Sequence, residues 1–353
     1  MRYTGDSMKF RTWLSLITVV LLAIVIIAGW HDIKEAFGYF GRVDLWILAL
    51  MIPAQFISYF ATGEMIFSYL RAKGNIKDLN VFKVTRMALE LNFVNHVFPS
   101  GGAAGMAYFS WLLGRHGVSS GRATMAQIIR FGVTFISFVM LLLVALIILI
   151  IDHNVNRMTI LLSLVIVILA VVATIGSMYL FGNRQRLVRF SDWLTRVING
   201  VVRRVTRGKT RFAVRGEAMT AFFDDIHDDY KSIMRDKKIL VKPFVWSLLA
   251  NCMDMVLIYI AFWSFGVHVN PAILFIAFGL ASIVSVASVT PGGAGVYEAV
   301  MIAFLSSAGV SVEIAVAGTL LARVLLMLGT IMSGYVFYQL TVIRYGKAPA
   351  ERQ

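Results

Sequence analysis

Arg130 and Arg323 stand deep inside two long apolar stretches of the chain. A guanidinium keeps its charge at any attainable pH, and alone in hydrocarbon it is strongly unfavourable. It is therefore expected to hold a carboxylate or to bind an anion. Its planar fork suits phosphate, which it meets through two parallel N–H···O bonds. The carboxylates that could pair with these arginines are Glu64, Glu90, Asp254 and Glu298. Glu298 could instead carry a proton or meet a cationic headgroup. Glu64 and Asp254 could balance charge or carry a coupling proton. Glu90, Asn92 and Asn95 precede Pro99 and could line the same polar cavity, and Asn251 lies three residues before Asp254 on one helical face; these too are candidates for balancing charge or coupling a proton.

Each arginine follows a glycine cluster. Upstream of Arg130 the chain reads Pro99-Ser100-Gly101-Gly102-Ala103-Ala104-Gly105, and upstream of Arg323 it reads Pro291-Gly292-Gly293-Ala294-Gly295. A glycine turn at the end of a half-helix lets backbone N–H groups approach an anion closely, with the helix dipole in support. Pro99, Gly101, Gly102, Pro291, Gly292, Gly293 and Gly295 are thus candidate substrate contacts, with Arg130, Glu298 and Arg323. Glycine in membrane helices also serves close packing, and the glycines alone do not separate the two roles.

The two clusters are in register. Gly117-Val118-Ser119 begins 18 residues after Pro99, and Gly309-Val310-Ser311 begins 18 residues after Pro291. Arg130 and Arg323 follow those glycines by 13 and 14 residues; Glu64 and Asp254 precede the prolines by 35 and 37. Four coincidences in the same order make an internal repeat. The halves are not chemically equivalent, because Met106 stands where the second half has Glu298.

The elements that must position these residues are membrane helices. Of 353 residues, 59% are hydrophobic and 15% charged, too few charges to cover a soluble domain of this size. Long apolar segments lie at 12–30, 44–70, 123–151, 158–182, 240–266 and 313–343. Two more, 79–114 and 272–308, are broken near their middles by the Pro/Gly clusters, and residues 100–114 are too few to cross a bilayer as a helix. The N-terminal run is read as the first membrane helix rather than a signal peptide, since no small-x-small cleavage site follows it.

These segments predict an all-α polytopic membrane protein with about six full spans and two re-entrant or broken hairpins. Repeat 1 covers 1–157 with its hairpin at 79–114, and repeat 2 covers 158–343 with its hairpin at 272–308. Repeat 2 carries a basic amphipathic insertion at 183–239, and 344–353 forms a tail. With a cytoplasmic N-terminus, 28 of the 33 Lys and Arg residues fall on the cytoplasmic side, in 1–11, 71–86, 115–122, 183–242 and 344–353. Such a bias is the usual orientation signal and places both termini in the cytoplasm. A double crossing of 272–308 gives the same count, so both topologies stay open. The hairpins then enter from opposite faces, as in transporters built from inverted repeats with broken helices.

Other chemistry finds little support. The net charge of +14 is explained by the edges of the spans, and no nucleic-acid-binding motif accompanies it. The single Cys252 forms no intrachain disulfide. Ser/His/Asp arrangements, zinc spacings and nucleotide loops are missing, so no cofactor or bound metal is expected and no catalytic residue is assigned. Asp224-Asp225-Ile226-His227-Asp228-Asp229 has the DDxxD form that holds magnesium and diphosphate elsewhere, but reads better as a solvated helical face. Arg203, Arg204, Arg207, Lys209, Arg211 and Arg215 would be drawn to anionic headgroups.

The stretch Ala287–Glu298, with Ala308-Gly309-Val310-Ser311 and Leu321-Ala322-Arg323, resembles the lysylphosphatidylglycerol synthase transmembrane-region family. Asn95-His96-Val97-Phe98-Pro99-Ser100-Gly101-Gly102, with Gly117-Val118-Ser119 and Arg130, resembles that family's first motif. The similarity extends over nearly the whole chain, and the specific motifs over about a quarter of it. The resemblance implies a flippase-like fold moving an aminoacylated or otherwise modified anionic phospholipid between leaflets of the cell membrane. In bifunctional members a soluble aminoacyl-transferase domain follows the membrane part. No such domain follows the last span here, so the expectation is a translocase and not a lysyltransferase. The alternatives are translocation or processing of a polyprenyl- or dolichyl-phosphate-linked lipid, and a non-transporting membrane partner of a lipid-modifying synthase.

Overall fold

The structure is a computed structural model that describes residues 34–35, 37–74, 76, 80–98, 103–151, 157–181, 183, 185–186, 189, 192–193, 196, 236–286 and 295–345. The first expected span and the anion-facing turn residues Pro99, Gly101, Gly102, Pro291, Gly292 and Gly293 lie outside the described residues, as do the basic run 203–215 and the acidic run 224–229.

The described elements are helical. They are α1 (Leu45–Ala49), α2 (Met51–Ala72), α3 (Val81–Val97), α4 (Ala103–Gly114), α5 (Ser120–Ile151), α6 (Arg157–Phe181), α7 (Val241–Trp263), α8 (Pro271–Val286), α9 (Val296–Ser307) and α10 (Val312–Tyr345). Four stretches, 45–72, 122–151, 237–263 and 312–344, are long and apolar enough to cross a bilayer. Their outward faces carry large apolar side chains: Ile136, Val144, Ile147 and Ile151 of α5 are all exposed. Lipid, not water, is the solvent for such a surface. The chain is an all-α polytopic membrane protein.

Both apolar segments with a Pro/Gly cluster break into short helices. The arms α3 and α4 have 17 and 12 residues, and α8 and α9 have 16 and 12. At 1.5 Å per residue a 12-residue arm runs about 18 Å, well under the ~30 Å hydrocarbon core. The first break has a local cause. Phe98 leaves the helical region (φ −96°, ψ 115°) because the ring of Pro99 crowds a helical residue before it. The α3 start is fixed by Asn80, whose side chain accepts from the Lys83 amide at 3.0 Å. Pro271 opens α8, where its missing N–H would be unpaired in any case.

The repeated Gly-Val-Ser triplets form the same structure twice. Gly117 (φ +77°) ends the first hairpin and Gly309 (φ +94°) the second, a backbone region open chiefly to glycine. The Val118 amide then donates to Leu113 O at 3.1 Å, and the Val310 amide to Leu305 O at 3.0 Å. These are six-residue closing bonds of the Schellman type. Ser119 and Ser311 lead into α5 and α10, accepting the first backbone bonds from Ala123 and Ala315 at 2.9 Å each.

Packing follows the same parallel. The second arm of each hairpin contacts the helix that follows it, α4 on α5 and α9 on α10. The first arm contacts the long helix of the other half, α3 on α10 and α8 on α5. A glycine opposite a phenylalanine makes both cross-contacts close. A Cβ on Gly334 of α10 would stand 2.5 Å from Phe93 Cβ and 2.8 Å from Leu89 O; one on Gly279 of α8 would stand 2.8 Å from Phe138 Cζ. Phe93, Val94 and Val97 of α3 form one core with Ile331, Tyr338 and Val342 of α10.

Residues 168–242 form a second compact unit. Within it, Arg186 lays its guanidinium over the Tyr179 ring, 3.4 Å from the centroid, and donates to Tyr179 O at 3.1 Å.

Candidate functional site

Glu298 is the third residue of α9, and its carboxylate is split between two tasks. Oε2 accepts from the Gly295 amide at 2.7 Å, folding back onto the helix start as a capping glutamate does. Oε1 accepts from Arg323 Nε of α10 at 2.8 Å. The side chains retain only 9% and 21% exposure respectively, so in the membrane interior this pair is shielded from both water and salt. The same guanidinium lies 4.6 Å from the centre of the Tyr297 ring, so a carboxylate and an aromatic face hold the cation together. Arg323 is thereby tied to the only described residue of the second glycine turn, Gly295.

Side chains from other helices reach this neighbourhood. Arg323 acts electrostatically on His96, at the end of α3 just before the first turn. The His96 Nδ1 is 2.8 Å from Asn92 O; a carbonyl only accepts, so that nitrogen bears the proton. Asp254 of α7 acts electrostatically on Tyr297 and on Tyr59. Its Oδ1 accepts from Ser58 Oγ of α2 at 2.7 Å. Tyr59 hydrogen-bonds Thr330 of α10, and Gln55 donates through Nε2 to Tyr59 Oη at 2.8 Å and Leu326 O at 3.0 Å. Residues of α2, α3, α7, α9 and α10 thus converge on one polar neighbourhood in an otherwise apolar molecule.

Arg130 is held differently. Its Nε donates to Gln127 Oε1 one turn earlier at 3.0 Å, and its guanidinium lies 4.3 Å from the Phe131 ring centre. No carboxylate among the described residues is within ion-pair reach of it. Gln127 is fully buried, and its Nε2 makes no hydrogen bond. Among the described residues, the Arg130 cation and the Gln127 Nε2 amide of α5 therefore share a location without a carboxylate.

The remaining sequence candidates go to separate partners. Glu64 pairs with Arg71 in its own helix. Glu90 accepts from Arg86 Nε at 2.8 Å, Thr341 Oγ1 at 2.7 Å and Tyr108 Oη at 2.7 Å. Asn92 donates to Ala88 O at 3.0 Å. Asn251 faces α5, donating to Ser137 Oγ at 2.7 Å and Thr134 O at 3.2 Å, so it and Asp254 serve different neighbours. Asn95 packs against Gly105, and its buried Oδ1 has no hydrogen-bond donor. Gln55, Tyr59, Gln127, Tyr297 and Thr330 were not singled out from the sequence. A polar residue inside an apolar span was the signal, strongest for Gln55 and Tyr59, which are four apart on one face.

The chain is similar to a UPF0104 membrane protein of the archaeon Methanothermobacter thermautotrophicus, 23% identical over 308 residues that cover 87% of this chain and 88% of that protein. A further match of the same description and organism is 22% identical over 165 residues, covering 47% of this chain and 46% of that protein. The model of the lysylphosphatidylglycerol synthase transmembrane region matches residues 13–334. With that match running from before α1 to the middle of α10, the chain belongs to the lysylphosphatidylglycerol synthase transmembrane-region family.

Proposed function

We propose that this protein is a flippase-like translocase that moves an anionic or aminoacylated phospholipid between the leaflets of the cell membrane. It would work without a synthase activity of its own and with both termini in the cytoplasm. In this reading the two broken hairpins are inverted copies, and the lipid phosphate passes between them. The observation that carries the reading is the contrast between the two arginines. Arg323 is balanced by Glu298, whereas among the described residues Arg130 has only an amide and an aromatic ring beside it. A cation kept in an apolar span without a carboxylate is stabilised when an anion arrives, and phosphate matches its fork.

The crossed packing of the hairpins supports the same reading. Each hairpin bridges the long helices of both halves, so movement of one half against the other changes the space around both glycine turns. Asp254, which accepts a hydrogen bond from Ser58, would carry a coupling proton, and Glu298 balances the charge of Arg323.

The test is reconstitution of the purified chain into liposomes with fluorescent phosphatidylglycerol, lysyl-phosphatidylglycerol or polyprenyl phosphate. The translocase reading expects faster leaflet exchange than in protein-free vesicles for at least one of these, and slower exchange for phosphatidylcholine. Equal exchange with and without protein for all of them would reject it. Exchange of the polyprenyl lipid alone would move the substrate to that class.

A further inference from the structure

A second basic site lies away from Arg130 and Arg323, where the N-terminal half of α3, the end of α4 and the end of α10 meet. There Lys83, Arg86, Glu90, His116, Thr341 and Arg344 line a cavity of about 70 Å³. That is several times the minimum space for one water, enough for a phosphate group. Three permanent cations, Lys83, Arg86 and Arg344, face one carboxylate, for a net charge of +2 without His116.

The carboxylate is already committed. Glu90 accepts from Arg86, Thr341 and Tyr108, and Thr341 passes the chain on by accepting from Arg86 Nη2 at 2.6 Å. This network fixes Arg86 and leaves its Nη1 edge, with no hydrogen bond among the described residues, for a ligand. The Lys83 side chain makes no hydrogen bond or ion pair with the described residues. His116 Nδ1 is 3.0 Å from Leu112 O and so bears the proton.

The surroundings are those of a lipid. Val81 and Phe82 beside Lys83 are 63% and 62% exposed, and Leu340 and Ile343 beside Arg344 are 49% and 60% exposed. Phe82 also meets Phe337 edge-on at 5.9 Å, and Phe337 carries the Arg86 guanidinium 5.6 Å from its ring centre. Cations over a phosphate-sized cavity thus border an apolar ridge, as a headgroup with attached acyl chains requires and a free anion does not. The lining segments are also those that hold the basic residues of one membrane face.

We propose that this pocket binds the phosphate of an anionic phospholipid resident in the cytoplasmic leaflet, as a site distinct from the Arg130 and Arg323 neighbourhood. It is an interfacial site, suited to gathering substrate before translocation, and its occupancy does not depend on transport being correct.

The experiment uses full-length protein in phosphatidylcholine nanodiscs containing a phosphatidylglycerol with a photoreactive headgroup, with crosslinked peptides mapped by mass spectrometry. Wild type is expected to label in 80–90 and 341–345. A Lys83→Gln/Arg344→Gln variant should lose about thirtyfold of that labelling, given the size of a headgroup's attraction to two nearby cations, and Lys83→Arg/Arg344→Lys should restore it. Both residues are exposed, so these variants keep the fold; Arg130→Gln should leave the labelling in place. Unlabelled phosphatidylglycerol should compete and millimolar inorganic phosphate should not. Competition by inorganic phosphate would overturn the lipid assignment. Absent labelling in wild type, or undiminished labelling in the Lys83/Arg344 variant, would overturn the site.

Discussion

Arg323 Nε lies 2.8 Å from Glu298 Oε1, while the other oxygen of that carboxylate holds the Gly295 amide at 2.7 Å. One side chain therefore ties the last membrane helix to the residue that closes the second glycine turn. Four consequences can be measured.

Removing one partner of this pair leaves the other as an uncompensated buried charge, which costs roughly 3–5 kcal/mol where a pair is fully buried. Glu298→Ala and Arg323→Ala should each lower thermal stability markedly. Glu298→Gln should cost less than Glu298→Ala, because an amide oxygen can still accept from Gly295. In a double-mutant cycle the two alanine changes should couple by about 2 kcal/mol or more, in the range seen for contacting residues. Thermal melts in detergent check this.

Arg130 has no carboxylate to abandon among the described residues. Arg130→Gln should therefore leave the melting temperature unchanged or raise it slightly, because a desolvated cation is removed and no ion pair is broken. A drop as large as that of Arg323→Ala would show that Arg130 is a structural cation after all.

The two cross-half glycines should differ in tolerance. Alanine at Gly334 meets the Leu89 carbonyl and Phe93 Cβ, atoms fixed by the α3 backbone; alanine at Gly279 meets chiefly the outer end of the Phe138 ring, which can turn. Gly334→Ala should cost on the order of 1–3 kcal/mol and Gly279→Ala less. Comparing the two melts decides it.

Asp254→Asn keeps an acceptor for Ser58 and removes the ionisable group. Stability should change by less than about 1 kcal/mol. If Asp254 carries the coupling proton, leaflet exchange in this variant should lose its response to an imposed pH gradient, measured in vesicles with acidic or neutral interiors.

Much of the architecture was legible in the sequence because membrane helices announce themselves by length and hydropathy, and because Gly-Val-Ser at the same distance from Pro99 and Pro291 marked an internal repeat. Gly117 and Gly309 do close their helices with the same bond pattern. The partners of the charged residues were less legible. Spacing offered Glu64, Glu90, Asp254 and Glu298 as equals, yet of these only Glu298 pairs with Arg130 or Arg323 among the described residues. Glu64 and Glu90 find Arg71 and Arg86 on their own helices, local neighbours that a long-range pairing search overlooks. The contacts of Tyr59 with Thr330 and of Asn251 with Ser137 depend on which helix lies opposite, and no one-dimensional pattern states that.

The central claim is that the Arg130 cation serves a passing phosphate, and leaflet exchange of labelled phosphatidylglycerol in proteoliposomes tests it most directly. The rate should fall at least tenfold in Arg130→Gln and recover in part in Arg130→Lys, which restores the charge without the fork, while both variants fold as the wild type does. Exchange at the wild-type rate in a well-folded Arg130→Gln would contradict the account.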